Sequence, residues 1–378
     1  QYNSQIATAS EQQTSVAEEI NQNITSIRDV TDQSAASSNQ TASSSSELAR
    51  LGSDLQKRDD WIVHLDGDDI TEIDAALVVA KSHGATIPFE RDLFPLDHLR
   101  TTLDRVFDLV SSGCGVALLR GLPRERYTSA DCELIYWGIG CYLGTSVSQS
   151  LRGDMIGYVR DEGLSMGDPN ARGYRTAGEL QFHCDQLPTD ILGLFCVNAA
   201  RSGGESHIVS ALAIHNIIRD ERPDLLPHLY EPINVDWRGD EPEGQPPWYR
   251  VPMFSVAGGK ITSRFTNRFF VLSTTRHGED LAPTPEQWAA LEFAHSVGER
   301  PEMRLTMTFR PGDMQFISNH TTLHGRSTFE DWDAPDRKRL LLRLWVAVDD
   351  ARRRPLSPLL DERYHWVSIG GIPKRDIA

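Results

Sequence analysis

The residues of this chain that are best suited to bind a metal ion are a histidine and an aspartate two positions apart, His183 and Asp185. Side chains two positions apart on a strand project from the same face of a sheet, so this imidazole and carboxylate can contact one ion. They are two of the three ligands of a facial 2-His-1-carboxylate site, which leaves coordination positions open for reactants. The pair therefore predicts a catalytic metal site that needs one more histidine from elsewhere in the chain.

Pairs of a histidine and an acidic residue at this spacing are common, so the position of each pair has to be considered. With 12 histidines and 54 acidic residues among 378, about 1.7 such pairs arise by chance, and three are present, beginning at His64, His183 and His277. His64 precedes the first predicted helix, and His277 lies in a polar loop. Only His183 leads into a strand-like apolar run, residues 191–197, so it is the preferred candidate.

A second histidine ligand is predicted after the apolar strand at residues 314–317. His324 follows this strand and a polar turn, and the adjacent Gly325 allows another backbone segment to approach closely. His320, four residues earlier, is a competing candidate. A core histidine that is satisfied by hydrogen bonds is the alternative interpretation of each single histidine.

Two arginines are predicted to bind a carboxylate near this metal. Arg339 and Arg343 alternate with leucines in the strand predicted at residues 337–346. A guanidinium binds a carboxylate through two parallel hydrogen bonds, which suits a keto acid whose other end chelates iron. The alternative is that both arginines lie on the solvated face of an edge strand. The metal-binding pattern beside them favours the first interpretation.

Four short motifs, HCD, GGES, N-x4-H-GR and R-x3-R, occur here in the order found in the taurine/2,4-dichlorophenoxyacetate dioxygenase (TauD/TfdA) family of Fe(II)/2-oxoglutarate enzymes, and residues 61–378 resemble that family. The resemblance implies three iron ligands: His183, Asp185 and His324. It implies that Arg339 binds the distal carboxylate of 2-oxoglutarate with the help of Ser206. It also implies that Arg343 is a second arginine near the co-substrate or substrate carboxylate.

The chain departs from the family pattern at two places. Cys184 stands where the family usually has threonine or another residue, which is harmless if its side chain points away from the metal, as strand alternation predicts. Residues 331–336 are an insertion that lengthens the spacing between His324 and Arg339. The insertion affects only the assignment of the arginine.

The resemblance implies Fe(II) as the cofactor, 2-oxoglutarate and O2 as co-substrates, and succinate and CO2 as products. Related halogenases lack the carboxylate ligand, so the presence of Asp185 favours hydroxylation or desaturation. The supply of arginines favours a small, polar or carboxylate-bearing substrate. Candidate substrate contacts are Gln149 and Arg160, in the predicted lid of residues 146–163, and Arg268. Solvated loop positions are the alternative for such residues.

The predicted fold class for residues 57–378 is mainly β with flanking helices (α+β). The resemblance implies a double-stranded β-helix, or jelly roll, as the catalytic domain. Helices are predicted at residues 69–83, 99–109 and 129–143, and a buried strand is predicted within 115–123, where an apolar run ends in Gly and Pro. We therefore expect glycine-punctuated strands to build the site and helices to pack outside them.

Residues 1–56 differ in composition from the rest of the chain, because they contain no proline and 17 Ser or Thr. Apolar residues recur at heptad spacing, which predicts a long coiled-coil helix and a possible homo-oligomer through it. The segment resembles part of the signalling helix of methyl-accepting chemotaxis proteins, with Glu11, Gln12 and Gln13 matching their methylation pattern. A disordered Ser-rich linker is the alternative.

The overall charge and the cysteines limit the class of protein. A net charge of −16 argues against nucleic acid or a membrane surface as a general partner, and no apolar run is long enough to span a membrane. Five cysteines without CxxC spacing predict a reduced, cytoplasmic protein. The partner expected is a small-molecule substrate.

Two other functions compete with an oxygenase. One is a chemosensory component whose β domain binds a ligand without turnover and whose helix transmits the signal. The other is a cupin-like metal isomerase or a purely structural double-stranded β-helix. A full set of metal and co-substrate residues favours the oxygenase, because a pure sensor need not keep all of them.

Overall fold

The computed structural model describes residues 59–164, 172–185, 189–241, 243–266, 268–349, 351–360 and 370–375. The coiled coil predicted for residues 1–56, its resemblance to a receptor helix and the predicted boundary at residue 57 lie outside these ranges. They stay predictions. Among the described residues, no helix combines the length and the apolar composition that a membrane span requires.

Helices of the described residues are α1 (Gly67–Ser82), α2 (Leu99–Ser111), α3 (Ser129–Leu143), α4 (Ala211–Glu221), α5 (Arg268–Leu272) and α6 (Pro285–Gly298). Three of them, α1, α3 and α6, begin with a capping box, in which two residues satisfy each other's free backbone N–H groups. Asp66 and Asp69 form the box of α1, and Thr128 and Asp131 form that of α3. The three helices predicted before residue 150 are therefore confirmed, with ends within two residues.

Strands of the described residues are β1 (Ile62–His64), β2 (Val116–Arg120), β3 (Thr145–Ser146), β4 (Gly157–Val159), β5 (Leu180–His183), β6 (Ile191–Asn198), β7 (Ser202–Gly203), β8 (Ser206–Ser210), β9 (Ile233–Asp236), β10 (Trp248–Val251), β11 (Phe254–Ala257), β12 (Lys260–Ser263), β13 (Leu305–Met307), β14 (Met314–Ser318), β15 (Thr322–Arg326), β16 (Phe329–Glu330) and β17 (Leu340–Ala347). The strands predicted within 115–123 and at 191–197, 314–317 and 337–346 correspond to β2, β6, β14 and β17.

Two sheets carry the architecture. The larger one has the strand order β1-β2-β14-β6-β17-β3, with β4 also paired to β17, and the smaller one has the order β13-β8-β15-β5. Strand alternation gives the larger sheet two apolar faces. In β2, Ala117 and Leu119 pack with α1, α2 and α3, whereas Val116 and Leu118 face a cluster that includes Ile208 of β8. The second cluster therefore lies between the sheets.

The smaller sheet has its own helical cover. Phe182 of β5, Val209 of β8 and Leu323 of β15 pack with α4 and α6. Their neighbours along each strand must then point to the opposite face, toward the larger sheet. The predicted class, a β-rich α+β protein with helices outside the sheets, is confirmed. The candidate site lies between the two sheets because the polar side chains of β5, β8 and β15 face inward there.

Candidate active site

Pairing of β5 with β15 brings the two predicted histidine ligands together. The strands are antiparallel, and His183 lies directly opposite His324 in the register. Their ring centroids are 4.3 Å apart. A Cβ on Gly325 would lie 2.7 Å from the carbonyl oxygen of Leu180, so only glycine lets β5 approach this closely. The predicted role of Gly325 in a close backbone approach is thus explained by the strand that it faces.

The predicted carboxylate completes the cluster from just beyond the end of β5. Asp185 Oδ1 is 3.6 Å from Nε2 of His183 and 3.5 Å from Nε2 of His324. Ligand atoms that sit about 2.0–2.2 Å from one ion are separated by about 3–4 Å when they occupy one face of its coordination sphere. The three side chains fit a facial metal site. Asp185 was expected on the strand itself, but β5 ends at His183.

The protonation states suit metal binding. Nδ1 of His183 lies 2.7 Å from the carbonyl oxygen of Gln181. A carbonyl only accepts, so Nδ1 is the donor, and Nε2 is the ring nitrogen that faces Asp185. Burial, followed by the neighbouring His183 ring, lowers the pKa of His324 to about 3, so that imidazole is neutral. Burial alone would raise the pKa of Asp185, but Arg343 and the two imidazoles hold it below its usual value.

The second oxygen and the backbone of Asp185 are held by the predicted site residue Arg343 and by Trp345 and Asn319, which were not predicted as site residues. Asp185 Oδ2 accepts from Trp345 Nε1 at 2.5 Å and lies 3.1 Å from Arg343 Nη1. The Asn319 side chain accepts from the Asp185 N–H at 2.8 Å and donates to its carbonyl at 3.0 Å. These contacts fix the carboxylate so that Oδ1 faces the imidazoles. Asn319 and Arg343 belong to the N-x4-H and R-x3-R motifs, whereas no sequence signal pointed to Trp345.

Replacing Trp345 with phenylalanine should weaken metal binding without removing a ligand. The aromatic character is kept, but Oδ2 of Asp185 loses one of its two partners, and losing such an outer hydrogen bond typically costs about 10–100-fold in metal affinity. The measurement is a Co(II) or Fe(II) titration of the purified variant. Trp248→Phe, on β10, is the control and should bind metal like the parent. Equal affinity of parent and Trp345→Phe would contradict the role of this bond.

The competing histidines are placed elsewhere. His320 lies in the turn between β14 and β15, and its Nε2 is 2.6 Å from Asp190 Oδ1. His64 is exposed on β1, and His277 Nε2 is 3.5 Å from Asp236. His324 follows the turn after β14, as predicted, and it lies within β15, where pairing with β5 directs it at His183. The choice between His320 and His324 is therefore made by strand pairing.

The arginine predicted to bind the co-substrate lies deep in the cavity beside the three candidate ligands, which has a volume of about 720 Å³. Arg339 immediately precedes β17 and is 3% exposed, and its Nη1 has no hydrogen-bond partner within the part of the chain that the structure describes. Burial lowers its pKa to about 10, so it remains charged at neutral pH. Asp331 Oδ1 accepts from the Arg339 N–H at 2.6 Å, so the inserted segment folds back and still delivers this arginine.

Ser206 and Arg343 also line the cavity. The Ser206 hydroxyl donates to Gln315 Oε1 at 3.2 Å. Arg343 Nε donates to Gln149 Oε1 at 2.8 Å, and Gln149 Nε2 donates to the carbonyl of Arg343 at 2.8 Å. Gln149, a predicted substrate contact, lines the cavity, but its amide is used to hold Arg343 in place.

The two predicted arginine contacts to the substrate have different positions. Arg160 lines the cavity near its mouth, with Glu162 3.3 Å away. Arg268 is not among the lining residues. Its guanidinium donates two hydrogen bonds to Glu292 on α6 and one, at 3.4 Å, to Gln181, which does line the cavity. Its assignment as a substrate contact stays a prediction. The Cys184 thiol donates to the Phe265 carbonyl at 3.0 Å, away from the cluster.

Two histidines and one carboxylate that converge on one point, beside a buried arginine, define the class of non-haem iron oxygenases. The chain belongs to the taurine catabolism dioxygenase TauD/TfdA family, whose family model matches residues 80–345. It is a non-haem iron dioxygenase that uses Fe(II) and 2-oxoglutarate.

The chain is also similar to individual proteins and to solved structures. The chain is 34% identical over 301 residues to FR-33289 synthase of Streptomyces rubellomurinus, covering 79% of this chain and 88% of that protein. It is 28% identical over 327 residues to the taurine hydroxylase-like protein SAT17 of Stachybotrys chartarum, covering 84% and 82%. Among solved structures, asparagine oxygenase with Fe(II), 2S,3S-3-hydroxyasparagine and succinate superposes with a TM-score of 0.55 at 17% identity, covering 79% of this chain and 97% of that one. At that identity, the structural likeness shows the fold.

Proposed function

We propose that His183, Asp185 and His324 bind the Fe(II), and that Arg339 with Ser206 binds the distal carboxylate of 2-oxoglutarate in a jelly-roll domain. The observation that carries the proposal is the convergence of three ligand atoms within 4.8 Å of one another at one end of the arginine-lined cavity. A buried guanidinium with an unused N–H group supports the second part, because such groups normally find a partner.

The protein's contribution to the reaction is placement and the exclusion of water. Iron with 2-oxoglutarate and O2 supplies the oxidising chemistry, which inserts oxygen into the substrate while succinate and CO2 are released. Trp345 and Arg343 hold one oxygen of Asp185, so the other stays directed at the ion. Leu194, Phe309 and Leu341 line the cavity with apolar surface, which lowers the local dielectric constant and strengthens the contact between arginine and carboxylate.

The substrate we propose is a small, polar molecule that carries an anionic group such as a carboxylate. Of the described residues, eight arginines and five acidic side chains line the cavity, a difference of +3 in a chain of net charge −16. Fe(II) and the dianion 2-oxoglutarate cancel each other, so the excess positive charge remains for the substrate. Five of the arginines lie in residues 152–238, outside the segment that carries His324, Arg339 and Arg343: Arg152, Arg160, Arg172, Arg175 and Arg238. Hydroxylation is the reaction we favour. The solved structure of asparagine oxygenase, which has a similar fold, contains a hydroxylated amino acid.

The deciding experiment is anaerobic addition of Fe(II) and then 2-oxoglutarate to the purified chain. A weak visible charge-transfer band should appear when the keto acid chelates the iron, and it should be absent from Asp185→Ala. Exposure to O2 should then release succinate, faster with the right substrate. A screen of amino acids, small carboxylates, sulfonates and phosphonates identifies that substrate. No band, with Asp185→Ala indistinguishable from the parent, would overturn the proposal.

The chemosensory alternative is separated by the same experiment. Its predicted signalling helix lies in residues 1–56, outside the described residues. A sensor would bind a small ligand but release no succinate beyond that of a metal-free control. Turnover that depends on Fe(II) and 2-oxoglutarate therefore favours the oxygenase.

A further inference from the structure

We propose that Arg326 is a second guanidinium that binds the distal carboxylate of 2-oxoglutarate together with Arg339. This inference rests on the proposed function and adds a residue to its co-substrate site. Arg326 is the last residue of β15, two positions after His324, so both side chains project from the same face of the strand. In the register between β15 and β8, Arg326 lies directly opposite Ser206. All three line the same cavity.

The Arg326 side chain has hydrogen-bonding capacity that the described residues do not use. It is 5% exposed, and its Nη2 donates to the carbonyls of Thr176, at 2.8 Å, and Gly178. Among the described residues, its Nε and Nη1 have no hydrogen-bond partner. Buried polar groups in folded proteins almost always have partners, so these two N–H groups need a partner that the described residues do not provide, and a bound ligand can supply it.

The charges around Arg326 indicate an anion. The guanidinium carbons of Arg326 and Arg339 lie 4.8 and 4.9 Å from the ring centroid of Phe329, so two buried cations share one aromatic ring. Among the residues that the structure describes, no carboxylate forms an ion pair with either of them. Two like charges that are removed from water without a counter-ion are unfavourable. 2-Oxoglutarate has one carboxylate that is not needed for chelation, and this group can supply the missing negative charge.

Nη2 of Arg326, the nitrogen that does have partners, connects the proposed co-substrate site to the chain segment before β5. Thr176 and Gly178 follow Tyr174, whose ring lies 4.7 Å from the guanidinium of Arg343. One side chain thus links the co-substrate site to the wall of the cavity around Asp185. The alternative role for Arg326 is to anchor this segment only, and the experiment has to separate the two roles.

The test compares two keto acids of equal length. 2-Oxopentanoate matches 2-oxoglutarate but carries a methyl group in place of the distal carboxylate. Their dissociation constants are measured anaerobically with the Fe(II)-loaded protein, from the charge-transfer band and by calorimetry. Arg326→Gln should weaken 2-oxoglutarate binding about 10–100-fold, because a hydrogen bond to a charged group is lost. The affinity for 2-oxopentanoate should stay unchanged.

Several results would overturn the proposal. If Arg326→Gln leaves the affinity for 2-oxoglutarate unchanged, Arg326 does not contact the distal carboxylate. If the affinities for both keto acids fall equally, Arg326 only anchors the segment before β5. The control is Arg310→Gln, which replaces an exposed arginine and should alter neither dissociation constant.

If Arg326→Gln does not fold, Arg326→Lys replaces it. A lysine side chain cannot bind both backbone carbonyls and the carboxylate, so the preference of this variant for 2-oxoglutarate over 2-oxopentanoate should still fall. An unchanged preference would count against the contact between Arg326 and the distal carboxylate. Failure of the parent to bind 2-oxoglutarate would instead overturn the proposed function.

Discussion

Replacing Asp185 with alanine should abolish both Fe(II) binding and 2-oxoglutarate turnover. The substitution removes a proposed ligand, so the loss should exceed the roughly 10–100-fold typical of losing an outer partner of a metal site. It also leaves Arg343, which lies 3.1 Å from Asp185 Oδ2, without that carboxylate. The measurements are a metal titration followed by succinate release under air.

The matched control for Asp185→Ala is taken from a competing sequence motif. His64 begins another histidine–x–acid pair, but its ring is exposed on β1. His64→Ala should bind Fe(II) and release succinate like the parent. A circular-dichroism melt must show that Asp185→Ala is folded. A folded Asp185→Ala protein with full iron affinity would place the metal elsewhere.

The second large effect is expected at Arg339. Arg339→Gln should weaken the binding of 2-oxoglutarate, raising both its dissociation constant and its Michaelis constant, while Fe(II) affinity stays close to that of the parent. Removing one partner of a buried charge pair costs about 2–5 kcal/mol, which is at least about thirtyfold in the dissociation constant. The measurement is the charge-transfer band at increasing 2-oxoglutarate concentration.

Arg337→Gln controls for a general loss of positive charge. Arg337 is two residues away and exposed, and its guanidinium stacks on the ring of Trp332 at 3.7 Å. The substitution should leave the dissociation constant for 2-oxoglutarate unchanged. If Arg337→Gln weakens co-substrate binding as much as Arg339→Gln does, a diffuse electrostatic effect is responsible rather than a direct contact.

Much of the fold followed from local patterns in the chain. The apolar residues that define α1, α2 and α3 lie close together in sequence, so the bounds of these helices were predicted to within two residues. The strands β6, β14 and β17 were visible as apolar runs because they are covered on both faces. Residues 180–183 were harder to assign, since β5 is short and has mixed burial.

By itself, the sequence determined the family, the candidate ligands His183 and Asp185, and the arginine expected at the co-substrate. It offered His320 and His324 as alternatives, and only the pairing of β15 with β5 separated them. The supporting contacts of Trp345 and Asn319, and the pairing of Arg268 with Glu292, were decided by the tertiary structure. The physical reason is that periodicity and motif spacing act between near neighbours. The pairing of β5 with β15 and the contacts of Asp185 with Trp345 and Asn319 join segments more than a hundred residues apart. Arg268 and Glu292 are 24 residues apart, on two helices whose packing the local pattern does not determine.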